Sequence, residues 1–216
     1  MFVTYNILSL HNILLCSNSN KIEPLRILVF SITTNCCHLC CITDDNEKRK
    51  MITIIAGTNR QDSMTLRTAR AYYNIIASQT PDVQILSLLD KQVWERGSDM
   101  KELESKYLIP ATKFLFIMPE YNASFPGVLK MMIDNSDIKK CWWYKKAALV
   151  GISDGRAGNL RGTEHMTAIL NYMKVNVLYN KLLLSKIKEE INLNSDIIKP
   201  ETQQLINIQV EELLKF

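Results

Sequence analysis

Ile52-Thr53-Ile54-Ile55-Ala56, followed at once by Gly57-Thr58-Asn59-Arg60-Gln61-Asp62-Ser63, is the stretch that decides the fold of this chain. A largely apolar run that ends at a glycine is typical of a strand buried on both faces, as in a parallel sheet. Asp62 or Ser63 can cap a helix that runs to about Ser78, because apolar residues then recur at helical spacing, namely Leu66, Ala69, Tyr73 and Ile76. The stretch therefore predicts a strand, a polar loop and a helix in succession.

The same alternation continues to the end of the chain. Apolar runs predict strands at 83–88, 113–118, 147–152 and 175–179, and other patterns predict helices at 99–107, about 126–136, 160–173 and 201–215. The helix at 99–107 is rich in charge and is expected to be exposed. Strands that alternate with helices imply a parallel sheet covered on both faces. We therefore expect an α/β fold, a three-layer sandwich around a five-stranded parallel sheet, over residues 51–216.

The composition agrees with a soluble globular domain. The chain has 216 residues and a mass of 24.8 kDa, with 47% hydrophobic and 22% charged residues. Its net charge of +4 is too small and too evenly spread to argue for nucleic acid or a membrane as a partner. Beyond residue 50 the only cysteine is Cys141, which suits a reducing cytoplasm. His165 is the only histidine there, which excludes a histidine-rich metal site.

Residues 1–50 differ from the rest of the chain. They lack the basic start and unbroken apolar run of a signal peptide, and their apolar run at 27–33 is too short to span a bilayer. Cys36-Cys37-His38-Leu39-Cys40-Cys41 contains one C-x-x-C pair, but no second ligand pair follows at zinc-site spacing, so a metal site is not favoured. We expect residues 1–50 to be a disordered extension that results from a misassigned start, with translation beginning at Met51.

Three loops follow the predicted strands at one edge of the sheet, where ligands bind in open parallel sheets. The first, 57–63, leads into a helix N-terminus, whose free N–H groups and dipole favour an anion. Thr58, Ser63 and Thr65 add hydroxyl groups, and Arg60 adds charged donors. The loop lacks the patterns of nucleoside-triphosphate and dinucleotide loops. It suits a phosphomonoester, such as the end of a flavin mononucleotide; an ordinary polar loop is the alternative.

The second loop contains Pro119-Glu120-Tyr121-Asn122 and ends at Pro126. It follows a buried strand, so its position is anchored. Its backbone N–H and C=O groups could hold the edge of a planar ring, and the alternative is a loop with a core tyrosine.

The third loop, 153–161, is rich in glycine. Gly155 and Gly158 let the backbone approach a ligand closely. Arg156 and Arg161 could attract an anionic cofactor such as a pyridine nucleotide. A flexible turn with solvated arginines is the alternative.

In these three loops the chain resembles the NAD(P)H-dependent FMN reductases of the flavodoxin-like superfamily, which include quinone, azo-dye and chromate reductases. The resemblance covers residues 51–179. In the first loop it is carried by Gly57-Thr58-Asn59-Arg60 with Ser63 and Thr65, and in the second by Pro119-Glu120-Tyr121-Asn122 through Pro126-Gly127-Val128-Leu129-Lys130 to Asp134. In the third loop it is carried by Ser153 with Gly155-Arg156-Ala157-Gly158 and Leu160-Arg161. The second loop is the most distinctive of the three.

The resemblance implies a flavodoxin-like fold, an FMN cofactor and a set of residues that hold it. The FMN phosphate would lie in the loop that begins at Gly57, against Thr58, Arg60, Ser63 and Thr65; the isoalloxazine ring would lie against Pro119, Glu120, Tyr121 and Asn122; Ser153, Gly155 and Gly158 would close its other side. The family usually has serine at 58, glycine at 123 and asparagine at 64 or 65, where this chain has Thr58, Ala123, Met64 and Thr65.

The implied enzyme takes hydride from NADPH or NADH and passes electrons to a quinone-like or other small acceptor, or to free flavin. It would be a cytoplasmic homodimer or homotetramer that binds neither nucleic acid, nor a metal, nor a membrane. No catalytic side chain is required, because the cofactor carries the chemistry. Tyr121 is the best candidate for a side chain near the flavin.

Two other functions remain possible. One is a flavodoxin-type electron carrier without NAD(P)H activity; the other is a flavin-free protein that keeps the fold. Flavodoxins tend to be strongly acidic, whereas residues 51–216 carry 21 Lys and Arg against 18 Asp and Glu, which favours the reductase.

Two features outside the loops have alternative interpretations. The lysines near Cys141 could activate its thiol, but an unreactive cysteine is the favoured interpretation. The run Trp142-Trp143-Tyr144 is expected in the core or in a dimer contact, with a wall that stacks on a ring as the other possibility.

The expected start at Met51 is tested by the intact mass of the protein purified from its native source. We expect the mass of residues 51–216. A mass near the full 24.8 kDa would contradict the misassigned start.

Overall fold

The computed structural model of the chain describes residues 50–216, and the predictions made for residues 1–49 lie outside that range. The strands are β1 Ile52–Ala56, β2 Val83–Ser87, β3 Lys113–Pro119, β4 Lys146–Ile152, β5 Asn176–Val177 and β6 Leu182–Leu184. The helices are α1 Met64–Ala77, α2 Ser98–Leu103, α3 Gly127–Asn135, α4 Ile138–Cys141, α5 Leu160–Tyr172, α6 Ile187–Glu190 and α7 Pro200–Lys215. The predicted strands and helices are therefore present, with ends that move by a few residues.

The strands form one parallel sheet in the order β2-β1-β3-β4-β5. Successive strand residues point to opposite sides of the sheet, and apolar residues occupy both sides, so helices cover both faces. In β3, Phe114 and Phe116 pack on one face, and Leu115 and Ile117 pack on the other. The first face is covered by α2, α3 and α5, and the second by α1 and α7. The expected three-layer parallel α/β fold is confirmed.

The fifth position of the sheet is divided between two short strands. β5 pairs with the start of β4, and β6 pairs in parallel with its end, from Val150 to Ile152. The predicted single strand at 175–179 is thus too long, because the chain leaves the sheet around Asn180. The carbonyl of Asn180 accepts a hydrogen bond from Gln209 Nε2 in α7, and its side chain donates to Glu212. These bonds hold the interruption against α7.

Two helix faces differ from the prediction. In α1, Tyr72 rather than Tyr73 enters the core: Tyr72 is fully buried and donates to Gln209 at 2.7 Å, whereas Tyr73 is 36% exposed. The charged segment expected to be an exposed helix is anchored instead, because α2 buries Met100 and Leu103. It continues as a π-helical turn over Glu104–Leu108 and buries Leu108 as well.

The aromatic run after α4 supplies part of the core. Trp142 is fully buried, and its ring centroid lies 4.9 Å from that of Phe114, whereas Tyr144 is 72% exposed. Cys141 is also fully buried. Burial raises the pKa of its thiol to about 12, with a smaller contribution from the charge of Glu104. The favoured interpretation of Cys141 as an unreactive cysteine is therefore supported.

Within residues 50–216, none of the helices combines the length and the apolar character that a membrane span requires.

Candidate functional site

The N-terminus of α1 follows directly after the first loop along the chain. Ser63 is the N-cap residue, and its hydroxyl oxygen accepts a hydrogen bond from the N–H of Leu66 at 3.2 Å. Thr65 is buried and lines the pocket described below, and its hydroxyl makes no hydrogen bond to any residue from 50 to 216. The first turn carries no acidic residue. This end of α1 therefore presents N–H and O–H donors and the positive end of the helix dipole.

Gly57 and Thr58 lie deeper than the rest of the first loop. The N–H of Gly57 donates to Ile117 at 2.9 Å, and a Cβ there would lie 2.8 Å from Leu129 in α3. The glycine lets the side chain of Leu129 in α3 pack closely against the end of β1. Thr58 is 2% exposed, and its hydroxyl oxygen lies 2.8 Å from the hydroxyl of Tyr121 in the second loop.

The second loop contains a tight two-residue turn. Tyr121 and Ser124 pair through reciprocal backbone hydrogen bonds of 2.8 and 3.1 Å. Asn122 and Ala123 between them have φ values of 52° and 62°, as in a type I′ turn. Their two N–H groups donate to nothing in the described part of the chain. Ser124 is also fixed from α5, because its hydroxyl lies 2.9 Å from Nδ1 of His165.

The third loop is held by Ser153. Its hydroxyl donates to the carbonyl of Gly155 and accepts from the N–H of Gly158, both at 3.0 Å. Gly158 has a φ of 56°, and a Cβ there would lie 2.8 Å from Cβ of Leu183 in β6. Ser153 and Gly158 therefore fix the shape of the loop and its contact with β6. Gly155 is exposed and has open space around its Cα.

Asn159 joins the third loop to the end of β3, and sequence reasoning missed it. It is fully buried in the left-handed conformation, and its Nδ2 donates to the carbonyls of Met118 and Pro119 at 3.0 and 3.1 Å. Its Oδ1 is buried without a hydrogen-bond partner in the described region. A polar residue in front of a helix start was the only signal for it in the sequence.

The three loops enclose a pocket of about 390 Å³ at the carboxyl ends of β1, β3 and β4, within the usual size range of ligand sites. The predicted residues that line it are Arg60, Ser63, Thr65, Pro119, Glu120, Tyr121, Asn122 and Ser153. Gly57, Thr58, Gly155 and Gly158 do not line it and lie behind or beside its wall. The remaining lining residues are Gln61, Met64, Ile152, Asp154, Ile187 and Lys188.

Ile187 and Lys188 form a wall that sequence reasoning missed. They belong to α6, which follows β6, and β6 was not predicted as a strand. The apolar run Leu182-Leu183-Leu184 was the available signal. Lys188 Nζ lies 3.6 Å from a carboxylate oxygen of Asp154, and both side chains are more than 70% exposed, so this ion pair is weak.

A parallel sheet in the order 2-1-3-4-5, with a pocket at the switch point between β1 and β3, where the order of the strands reverses, defines an open doubly wound fold of the flavodoxin type. The chain belongs to the NADPH-dependent FMN reductase family, whose sequence model matches residues 51–189. It is therefore an FMN-containing oxidoreductase that uses NAD(P)H, and the electron-carrier alternative is not favoured.

Individual relatives agree with this assignment. A 2-hydroxy-1,4-benzoquinone reductase from a Burkholderia species is 26% identical over 72% of this chain and 89% of its own length. An NAD(P)H-dependent FMN reductase from Pseudomonas aeruginosa is 30% identical over 61% of this chain and 74% of its own. The structure of the flavoenzyme NAD(P)H:(acceptor) oxidoreductase FerB from Paracoccus denitrificans matches with a TM-score of 0.63, at 19% identity over 77% of this chain and 96% of its own. That last likeness concerns the fold alone.

Ala123 generates a prediction about stability. A residue other than glycine in the left-handed region lowers the free energy of unfolding by about 1–2 kcal/mol. Glycine avoids this strain, but it lowers the free energy of unfolding by about 0.5–1 kcal/mol because it gives the unfolded chain more conformational freedom. We expect Ala123→Gly to raise the free energy of unfolding by about 0.5–1 kcal/mol, measured by urea denaturation.

The matched control is Ala77→Gly at the exposed end of α1, outside every described pocket, where the same change should not raise the free energy of unfolding and should lower it by up to about 1 kcal/mol. A loss of stability in Ala123→Gly equal to that in the control would contradict strain at this turn.

Proposed function

We propose that this FMN-dependent oxidoreductase passes electrons from NAD(P)H to a quinone-like or other small acceptor, or to free flavin. The observation that carries the proposal is the pocket itself. One of its ends is the donor-rich start of α1, and the other is bounded by the backbone of the second and third loops. The 2-hydroxy-1,4-benzoquinone reductase among the relatives supports a quinone-like acceptor.

The residues of the pocket fit the two ends of FMN. A phosphate carries a double negative charge, and the start of α1 offers it N–H groups, the hydroxyl of Thr65 and the guanidinium of Arg60. An isoalloxazine edge needs donors and acceptors at fixed positions, and the unpartnered N–H groups of Asn122 and Ala123 supply donors from a rigid turn. We therefore assign the phosphate to the first loop and the ring to the second and third loops.

FMN, when bound, accepts hydride from the nicotinamide and passes electrons to the acceptor. The chain's own residues bind, orient and shield it. The Asn159 bonds to the end of β3 keep the second and third loops at a fixed separation. Lys188 of α6 also lines the pocket, where it forms a weak ion pair with Asp154, and its positive charge would favour added negative charge on a ring bound there.

A single absorption experiment tests the function. We expect the purified protein, supplied with FMN, to show flavin bands that bleach when NADPH is added without oxygen, and reoxidation on addition of a quinone. Bands that persist with both NADPH and NADH would favour the electron carrier. Failure to bind FMN would favour the flavin-free alternative and contradict the assignment of the pocket.

The expected self-association has a candidate surface. A groove of about 880 Å³ lies between α2, α3, α4 and α5. Its lining includes Ile138 and Tyr172, which are 37% and 83% exposed, together with basic and acidic residues such as Lys101 and Glu104. A two-fold axis brings the same patch of both copies together, and a patch with both signs of charge can pair with itself. We propose a homodimer across this groove, with a homotetramer as the alternative. We also propose that the protein is cytoplasmic.

Light scattering tests the homodimer. We expect the wild-type protein to have about twice the monomer mass. Tyr172→Lys should shift it toward the monomer, because it places an uncompensated charge in the contact. Tyr179→Lys, at a residue that is 80% exposed outside the groove, is the matched control. A monomeric wild type, or equal dissociation of the two variants, would contradict this interface.

A further inference from the structure

The side chain of Tyr121 points away from its own loop. The resemblance places Tyr121 beside the flavin ring, but its hydroxyl reaches across to the first loop and lies 2.8 Å from Oγ1 of Thr58. Thr58 is 2% exposed, so this hydrogen bond lies at the wall of the pocket and is partly shielded from water. Tyr121 therefore connects the two loops that would hold opposite ends of the cofactor.

The hydrogen bonds of Thr58 determine where its proton can point. A threonine hydroxyl has one proton to donate and two lone pairs with which to accept. Oγ1 of Thr58 accepts from the backbone N–H of Arg60 at 3.3 Å. When the phenol of Tyr121 donates as well, both lone pairs are filled. The Thr58 proton then has no acceptor among residues 50–216, and Thr58 lies directly behind the part of the wall that Arg60 and Tyr121 form.

The ring of Tyr121 also supports Arg60. The guanidinium carbon of Arg60 lies 4.1 Å from the ring centroid, which is a cation–π contact. Arg60 lines the pocket and forms no ion pair within the part of the chain that the structure describes. The aromatic face therefore holds an unneutralised cation beside the start of α1.

We propose that Tyr121 is a positioning residue for the FMN phosphate, and not a partner of the flavin ring. Its hydroxyl orients Thr58 as a donor, and its ring holds Arg60 at the pocket. The inference rests on the proposed assignment of the phosphate to the first loop. It implies that a change in the second loop alters recognition of the phosphate more than recognition of the ring.

The test compares FMN with riboflavin, which has the same ring and lacks the phosphate. Dissociation constants are measured for the full chain by quenching of flavin fluorescence. Tyr121→Phe removes the phenol and keeps the ring over Arg60. We expect it to weaken FMN binding about tenfold, the usual effect of one hydrogen bond to a charged group, and to change riboflavin binding less than about twofold.

Thr58 provides the second arm of the experiment. In Thr58→Val, which lacks the hydroxyl, adding Tyr121→Phe should have little further effect on FMN binding, because both changes remove the same interaction. Thr58→Ser keeps the hydroxyl and should keep the affinity for FMN within about twofold. Tyr73→Phe on α1 changes an exposed tyrosine outside the pocket and serves as the control for loss of a phenol.

The outcomes separate this inference from the function on which it rests. Equal weakening of FMN and riboflavin by Tyr121→Phe would overturn it and assign Tyr121 to the ring. Tighter FMN binding by Tyr121→Phe would also overturn it, because the phenol would then obstruct the site. Additive effects of Tyr121→Phe and Thr58→Val would overturn it as well, because the two hydroxyls would then act separately. A wild-type protein that binds riboflavin and FMN equally would contradict the placement of the phosphate, and one that binds neither would contradict the proposed function itself.

Discussion

Strands β1, β3 and β4 are covered by helices on both faces, so their backbone N–H and C=O groups can pair only with neighbouring strands. This pairing sets one register across the sheet, in which Ala56 lies opposite Ile117 and Ile117 lies opposite Val150. The three strands therefore end at nearly the same level. Because they are parallel, the loops that follow them leave at the same edge and enclose one pocket.

Hydrogen bonds between neighbouring strand ends then hold the loops in place. The N–H of Gly57 donates to Ile117, and the N–H of Glu120 donates to Ile152, both at 2.9 Å. Asn159 adds two bonds from the third loop to the end of β3, while its own Oδ1 stays buried and unpaired among residues 50–216. An unpaired buried oxygen lowers the free energy of unfolding by about 1–3 kcal/mol, so the two hydrogen bonds that Nδ2 donates are made at some expense of stability. The result is a pocket whose walls depend on one another.

The departures from the family pattern lie in these same walls. Thr58 keeps the hydroxyl of the usual serine, and its added methyl group is buried behind the pocket. Ala123 keeps the turn but holds a left-handed conformation that glycine adopts without strain. Neither of these two changes removes a polar group that faces the pocket. Met64 also lines the pocket and cannot donate to a phosphate, whereas Thr65 beside it keeps a hydroxyl where the family often has asparagine at 64 or 65. The donors that remain for an anion are Thr65, Arg60 and the N–H groups at the start of α1.

The sequence by itself determined the strands, the start of α1 and the three loops, because apolar runs, capping residues and turn-formers act over a few neighbouring positions. Only the tertiary structure decided that Tyr72 rather than Tyr73 enters the core and that β5 and β6 divide the fifth position. It also decided that Gly57 and Gly158 serve packing against Leu129 and Leu183. These features depend on partners far along the chain, such as Gln209 in α7. Local spacing indicates which residues share a face, but it does not contain the distant atoms that a side chain will meet.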